Sequence, residues 1–489
     1  MPYIQGENRE QMTLTPMCLD DYIEDDNICR VISAYVYSLD MVALGFKYAE
    51  PKNTGRPPHN PASLLMLYLY GYLNRIRSSR RLETETKRNV EVMWLMEKVM
   101  PDDKTICNFR KDNAIALKRV FREFSLWCNR QGLYDKELIA VDGTKIRANS
   151  SRKNIFTKRS TEKELLSIDK KISEYINELE AADAAEENEV KLSPDTIKEI
   201  LEHLNKKKEN LDNRLKQIEA NGGKEISTVD PDAHFMHQGG DGRNLDACYN
   251  VQTVVDSKNK LIIEFDVSTC PDDKGALPQM TQAAKEIMGV SEINVVADKG
   301  YYDGSDIAEC EKKGTACYIP AVENYIHAPD RKFNRSNFRY DKENDCYICP
   351  ENKYLPFRYF EKGNRNTDPK RYRRVYHNSE ACRDCPSRAK CTPRKTGGRT
   401  VKRLPDQYAL DIVSERMATA NGREIMKRRS NIVEHPFGTT KYIWGYRQFL
   451  CRTQEKVTGE QSLVFLAYNL RRIFNIFKGN GKSMLQVIK

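Results

Sequence analysis

Two short apolar runs, each ending on an aspartate, constrain this chain more than any other feature. Leu138-Ile139-Ala140-Val141 leads into Asp142-Gly143-Thr144, and Ile293-Asn294-Val295-Val296-Ala297 leads into Asp298-Lys299-Gly300. Runs this short, bounded by glycine turns, read as buried strands that deliver a carboxylate at their ends. Two more β-rich runs, residues 249–256 and 261–267, are separated by Ser257-Lys258-Asn259-Lys260 and read as a hairpin paired with the strand before Asp142. A helix is expected over residues 278–288. An Asp before a Gly is by itself more often a turn former than a ligand. Two such strands in one α/β sheet place both acids where sites gather.

A third acid stands far downstream, in Arg428-Arg429-Ser430-Asn431-Ile432-Val433-Glu434-His435-Pro436-Phe437-Gly438-Thr439-Thr440-Lys441. Glu434 and Lys441 are seven positions apart, two turns along one helix face. Pro436 removes a donor and crowds the preceding turn. Either Glu434 sits in a first turn, or the helix is kinked there. Asp142, Asp298 and Glu434 form an oxygen-only donor set without histidine, which suits Mg²⁺ or Mn²⁺. Two such ions about 3.5–4 Å apart can serve both sides of an in-line phosphoryl displacement. The bland alternatives are turn aspartates and an ordinary surface ion pair.

The rest of the chain frames these acids. Residues 1–125 read as helical, with an apolar helix opening at Pro61 and arginines at helix junctions, Arg77, Arg80, Arg81 and Arg110, suited to phosphate contact. Residues 160–223 carry apolar positions at three-and-four spacing around an alanine-rich link, an antiparallel helical hairpin with no chemistry of its own. Residues 341–404 hold two C-x-x-C knuckles, Cys346/Cys349 and Cys382/Cys385, with Cys391 close behind. That pattern suits one structural Zn²⁺ or free thiols. Basic residues crowd the same segment, including Arg394, Lys395, Arg399, Lys402 and Arg403. The chain then runs through residues 405–478, with an amphipathic helix over 459–472 expected to pack on the sheet. Residues 479–489 read as a polar, frayed tail.

With 80 Lys+Arg against 70 Asp+Glu the net charge is +10, a modest excess that is clustered. Clustered basicity points to nucleic acid. No run approaches the roughly 20 apolar residues that span a bilayer, and the first residues lack a signal-peptide pattern. The expectation is a soluble cytoplasmic protein whose 14 cysteines are thiols or metal ligands rather than disulfides.

On Val141-Asp142-Gly143-Thr144, on Asp298-Lys299-Gly300-Tyr301, and on Glu434 with Lys441, the chain resembles a DDE transposase of a bacterial insertion sequence. The group in question carries a helical N-terminal domain and a cysteine-containing insertion. Arg77-Ser78-Ser79-Arg80 and the stretch from Pro101-Asp102 to Phe109-Arg110 resemble that N-terminal domain, so the likeness covers nearly the whole chain. The resemblance implies an α/β fold with an RNase H-like mixed-sheet catalytic domain, here residues 126–159 and 224–340, completed by a catalytic helix within 405–478. It implies that Asp142, Asp298 and Glu434 hold two Mg²⁺ or Mn²⁺ ions. Lys441 and an upstream arginine would contact terminal phosphates, helped by Lys145 and Arg147. Related motifs place that arginine four positions before the glutamate; Ser430 stands there, leaving Arg428 and Arg429 as candidates. The implied reaction is strand cleavage at the element's terminal inverted repeats and transfer to target DNA, in a homodimer or larger synaptic complex at the nucleoid. The alternatives are a nuclease of the same fold that does not join strands, and a DNA-binding repressor derived from a transposase.

Overall fold

Along the strand that carries Asp142, residues alternate between the two faces of a sheet, and the alternation decides what each side chain meets. The computed structural model describes residues 18–51, 53–55, 57–184, 193–220, 222–223, 225–238, 244–322, 328–362, 372–394, 396–477 and 481–488. The start of the chain, residues 185–188 of the expected hairpin link, and Lys395 lie outside the described residues.

The first strands are β1 (Leu138–Arg147), β2 (Ile155–Phe156), β3 (Ile226–Ser227), β4 (His234–Gln238), β5 (Asn244–Asp256), β6 (Ile262–Ser268), β7 (Ile293–Val296) and β8 (Thr315–Tyr318). Six of them make one mixed sheet. β4 and β6 share one edge of β5, then come β1, β7 and β8. β1 is antiparallel to β5 from Ile139 opposite Asp256 to Arg147 opposite Cys248, and parallel to β7 over Leu138–Ala140. β2 and β3 pair only with each other, at the root of the insertion between them.

Among the described residues six α-helices precede the sheet: α1 (Ile28–Tyr37), α2 (Pro61–Leu73), α3 (Ser79–Arg88), α4 (Val90–Leu95), α5 (Asp103–Asp112) and α6 (Ala114–Arg130). The start of α2 follows from sequence, with Pro61 in the first turn and the Asn60 side chain accepting from Ala62 N–H. Between β2 and β3 run α7 (Lys158–Ala184) and α8 (Pro194–Ala220), packed through Leu165, Ile168 and Leu211. α9 (Ala276–Met288) and α10 (Gly304–Lys312) connect the later strands. A second, antiparallel sheet holds β9 (Arg339–Asp341), β10 (Cys346–Ile348), β11 (Tyr354–Lys362), β12 (Tyr372–His377) and β13 (Thr400–Arg403), with α11 (Ser379–Arg383) and α12 (Arg388–Cys391). Last come α13 (Gln407–Ala418), α14 (Ala420–Phe437), α15 (Gln454–Ile476) and α16 (Gly481–Ile488).

α14 lies on one face of the main sheet. Its Ile432 and Val433 are buried against Leu138, Ala140, Val255, Val296 and Tyr318. Ile139, Val141 and Val295 face the other way, into the large core shared with α9 and the N-terminal helices. By the same period of two, Asp142 stands on the α14 face, two residues beyond Ala140.

Three expectations need correction. Asp142 does not end its strand: the apolar run stops there, but β1 continues to Arg147 because β5 keeps pairing with it. α15 does not rest on the sheet alone. One side is tied to β6, where Asn469 bonds both backbone groups of Ile262 at 2.9 and 2.8 Å and Phe465 meets Phe265. The other side meets α6 so closely that a Cβ at Gly459 would lie 2.6 Å from Ala114 Cα. Burial on all sides makes α15 the axis joining the N-terminal helices to the sheet in one core. The expected frayed tail instead contains α16, with Met484 fully buried in that core. Among the described residues no helix is long and apolar enough to cross a membrane.

Candidate active site

Asp142 and Asp298 reach one place from adjacent parallel strands. Asp298 lies two residues past β7 and caps the short turn Lys299–Tyr301, its Oδ1 accepting from Gly300 N–H at 2.7 Å. Asp142 Oδ1 accepts from Gly143 N–H at 3.0 Å and from Arg429 Nη2 at 3.2 Å. The same Arg429 Nη2 is 4.0 Å from Asp298 Oδ2, so one guanidinium serves both carboxylates. Burial pushes the Asp142 carboxyl up to about 6; Arg429 opposes that rise and Asp298 adds to it.

α14 and the turn that follows it supply the cations. Arg429 is the upstream arginine that meets the acids, whereas Arg428 turns to Ser257 Oγ at 3.4 Å, beside the start of β1. The helix starts at Ala420, so Pro436 falls in its interior rather than its first turn. Past Pro436 the backbone widens into a π-turn over Gly438–Ile443, with Thr440 Oγ1 donating to Pro436 O at 2.8 Å. A widened turn re-aims the side chains beyond it. Here Lys441 Nζ donates to Lys145 O at 2.8 Å and to Thr144 Oγ1 at 3.1 Å, on β1 just beyond Asp142. Burial lowers the pKa of Lys441, and Arg447 lowers it further.

Glu434 is not drawn in with the other two acids. It is exposed on α14, and its carboxylate makes no hydrogen bond or ion pair among the described residues. No three His, Cys, Asp or Glu side chains among the described residues stand gathered as a ready metal site. The chemistry of the place still fits a hard divalent cation: oxygen donors, and no histidine or thiol. A Cβ on Gly143 would lie 2.5 Å from Gln252 Nε2, and one on Gly300 would lie 2.9 Å from Asp298 Oδ1. The Gly300 position borders Asp298, whereas that of Gly143 lies on the face of β1 opposite Asp142, beside Gln252 and Asp273.

Sequence reasoning missed one carboxylate here. Asp273, in the loop between β6 and α9, takes Lys145 Nζ at 3.3 Å, Asn250 Nδ2 at 2.8 Å and Gln252 Nε2 at 2.8 Å. A lone aspartate in a loop carries no periodic signal; only the β5 register, with Gln252 opposite Gly143, brings it here.

The basic candidates separate by burial. Arg110 is 4% exposed, donates to Tyr72 Oη and Arg77 O, and cannot reach a phosphate. Arg77 stacks on Tyr446 at 4.2 Å, pairs with buried Glu460 and donates to Gln448 O. Arg403 is 9% exposed between Tyr347, Asp411 and Tyr340. All three tie the fold together; Arg110 and Arg403 are buried, which corrects their assignment to DNA, while Arg77 is half-buried. Arg80, Arg81, Arg147 and Arg394 are exposed. Lys402 pairs with Glu361, and Arg399 lies over Phe338.

The cysteines separate too. Cys349, Cys382, Cys385 and Cys391 line one cavity of about 30 Å³, and Lys353 N–H points at Cys349 Sγ from 3.3 Å. Burial pushes the Cys391 thiol up to about 11; the three neighbouring thiols add to this, and Arg399 opposes it. Cys346 does not line that cavity. It sits on β10, its thiol raised by burial and by Asp341 and Asp345.

Two family models match this chain. One, described as Transposase DDE domain, covers residues 348–474; the other, described as Transposase domain (DUF772), covers residues 17–112. The first takes in Glu434 and Lys441, the second α1 to α5, and Asp142 and Asp298 fall outside both. Nothing among the curated proteins or the solved structures matches.

Proposed function

We propose that this chain, which belongs with the insertion-sequence DDE transposases, cleaves DNA strands at the ends of its element and joins them to target DNA. The observation that carries the reading is the convergence of Asp142 and Asp298 on Arg429 of α14, with Lys441 fixed against β1 just beyond Asp142. The strand order supports an RNase H-like core: β6-β5-β1 antiparallel, then β7 and β8 parallel.

On this reading Asp142 and Asp298 hold the divalent ions, and Glu434 joins them from α14 when DNA is bound. Bound there, Mg²⁺ or Mn²⁺ would supply the Lewis acidity that activates an attacking oxygen and neutralises a leaving one. Lys441, fixed against β1, orients a non-bridging oxygen of the scissile phosphate. Arg429 balances the two aspartates until the ion arrives and then turns to the DNA backbone. Water as nucleophile gives cleavage, and the freed 3′-hydroxyl gives joining, so one set of side chains serves both steps.

Duplex DNA is the partner, met by exposed Arg80, Arg81, Arg147, Arg394 and Arg428 through phosphate contacts. Pairing of two element ends asks for at least two copies of the chain. The four thiols around one small cavity suit a structural Zn²⁺, which takes tetrahedral sulfur ligands. Cys349, Cys382, Cys385 and Cys391 would hold it, without Cys346.

The test is cleavage and strand transfer on a labelled element end with Mg²⁺, comparing the wild type with Asp298→Ala and Glu434→Ala. Loss of both steps in both variants, with DNA binding kept, is the expected result. Active variants would overturn the acid assignment. Cleavage without joining by the wild type would make the chain a nuclease, and binding without cleavage a repressor.

A further inference from the structure

Four large apolar or aromatic residues follow Lys441, and the fold treats them in two ways. Trp444 packs against the core and Tyr446 is buried in it, whereas Tyr442 is 66% and Ile443 60% exposed. Single exposed apolar side chains are ordinary on a protein surface. Here two stand side by side at the end of the π-turn Gly438–Ile443, directly after the lysine that is fixed on β1. Lys441 and Tyr442 are joined by one peptide, and a base step of DNA is about 3.4 Å. Both side chains therefore fall within a few base steps of one phosphate.

The ring of Tyr442 is also held. The Arg447 guanidinium lies over it at 5.4 Å, and Nε of the same arginine donates to Lys441 O at 3.3 Å. Gly445, at φ +71°, turns the chain back along the end of β1. There Arg147 N–H donates to Arg447 O at 3.2 Å, and Phe449 N–H donates to Arg147 O at 2.8 Å. One arginine thus ties the tyrosine ring to the backbone of Lys441, and the sheet holds that arginine in turn. An aromatic ring backed by a guanidinium and otherwise open is a stacking platform for a nucleobase, since every base has a π-face. Exposed Arg147 and Arg447, with Arg452 bonded to Asn149 O at 3.2 Å, put positive charge along the same strand end. That charge complements a phosphate backbone.

We propose that Tyr442 stacks on a nucleobase of the bound DNA beside the scissile phosphate, and that Ile443 wedges into the gap the base leaves. This rests on the strand-cleavage reading given above and adds a base-binding subsite to it. Apolar side chains that enter a base step unstack it and kink the duplex. The ring of Tyr442 then offsets the lost stacking, a task that needs its face and not its hydroxyl. The duplex is opened next to the phosphate that Lys441 orients.

The experiment places 5-iodouracil, in turn, at each of the positions flanking the scissile phosphate of the element end, and binds the full chain to it in EDTA. Ultraviolet light couples the iodinated base to an aromatic side chain stacked on it, and mass spectrometry locates the bond. A crosslink to Tyr442 is expected, kept at the same position in Tyr442→Phe and absent in Tyr442→Leu. With Mg²⁺, Tyr442→Phe should cleave at the wild-type rate and Tyr442→Leu about tenfold or more slowly on a fully paired end. A mismatch at the crosslinked position, which lowers the cost of unstacking, should restore Ile443→Ala but not Tyr442→Leu. A merely structural role would instead lower the melting temperature and slow paired and mismatched ends alike. Absence of the Tyr442 crosslink from every position overturns the proposal, and so does a wild-type rate for Tyr442→Leu on paired ends. A crosslink at Tyr442 without cleavage by the wild type would keep the base contact and remove the strand-cleavage reading.

Discussion

Arg429 Nη2 donates to Asp142 Oδ1 across 3.2 Å, a cation lodged against the acid that the proposed chemistry needs free. A divalent ion and the guanidinium must then compete for one carboxylate. Arg429→Met keeps the volume and removes the charge, so Mn²⁺ should bind roughly three- to tenfold more tightly at pH 8. DNA affinity should fall in the same variant. Ion titration at that pH decides it; weaker Mn²⁺ binding would mean that Arg429 shapes the site rather than balancing it.

Asp142 should make the ion-free fold less stable as pH rises. Burial lifts its carboxyl from an ordinary 3.8 to about 6, so the folded chain holds the proton more tightly than the unfolded one. The penalty is absent below about pH 4, grows as pH climbs toward 6, and is constant above. Asp142→Asn removes it. The variant should match the wild type near pH 4 and exceed it by on the order of 1–3 kcal/mol at pH 7.5. Urea melts in EDTA at the two pH values provide the comparison.

Lys441 is held by Thr144 and the Lys145 carbonyl, so its ammonium is placed before DNA arrives. Lys441→Ala should slow joining by about 10²–10³-fold, the scale for losing one preorganised electrostatic group, with little change in end binding. Lys441→Arg should not restore the rate, since a planar fork does not reproduce a point charge. Single-turnover strand transfer separates the step from binding.

Arg110 and Arg81 should behave oppositely although both lie in the N-terminal helices. Arg110→Met removes a buried guanidinium bonded to Tyr72 Oη and Arg77 O, and should cost about 2–4 kcal/mol of stability. Affinity for duplex DNA per folded molecule should stay the same. Arg81→Ala should leave stability alone and flatten the salt dependence of DNA binding by about one phosphate contact. Melting and salt-titrated binding together test the pair.

For the cysteines, Cys385→Ser should abolish the zinc content of the purified chain and Cys346→Ser should leave it intact. Metal analysis reads this directly. Equal loss in both would favour the paired-knuckle arrangement, with Cys346 among the ligands.

What could be read from the sequence was whatever burial had written into it. The runs before Asp142 and Asp298 and the hairpin of residues 249–267 are apolar because they sit inside the sheet, so their strands were legible. Past Asp142 the strand was not, since Thr144, Lys145 and Arg147 are polar and only the β5 register keeps them extended. Arg110 looked like a phosphate contact because charge in a sequence carries no sign of burial. Asp273 gave no signal at all: its place depends on Asn250 and Gln252, residues with no pattern of their own. Arg428 and Arg429 are neighbours in sequence, and only the helix rotation sends one to Ser257 and the other to the acids.

The short ladder of β2 with β3, Ile155 opposite Ser227 and Phe156 opposite Ile226, has an engineering consequence. The chain leaves the body of the protein and returns to it through adjacent rungs, so α7 and α8 project as a detachable arm. Each has 27 residues, about 40 Å of reach at 1.5 Å per residue. Shortening both helices by whole turns from the far end, or grafting another paired-helix module onto the same rungs, alters that reach and leaves the distance between Asp142 and Asp298 untouched.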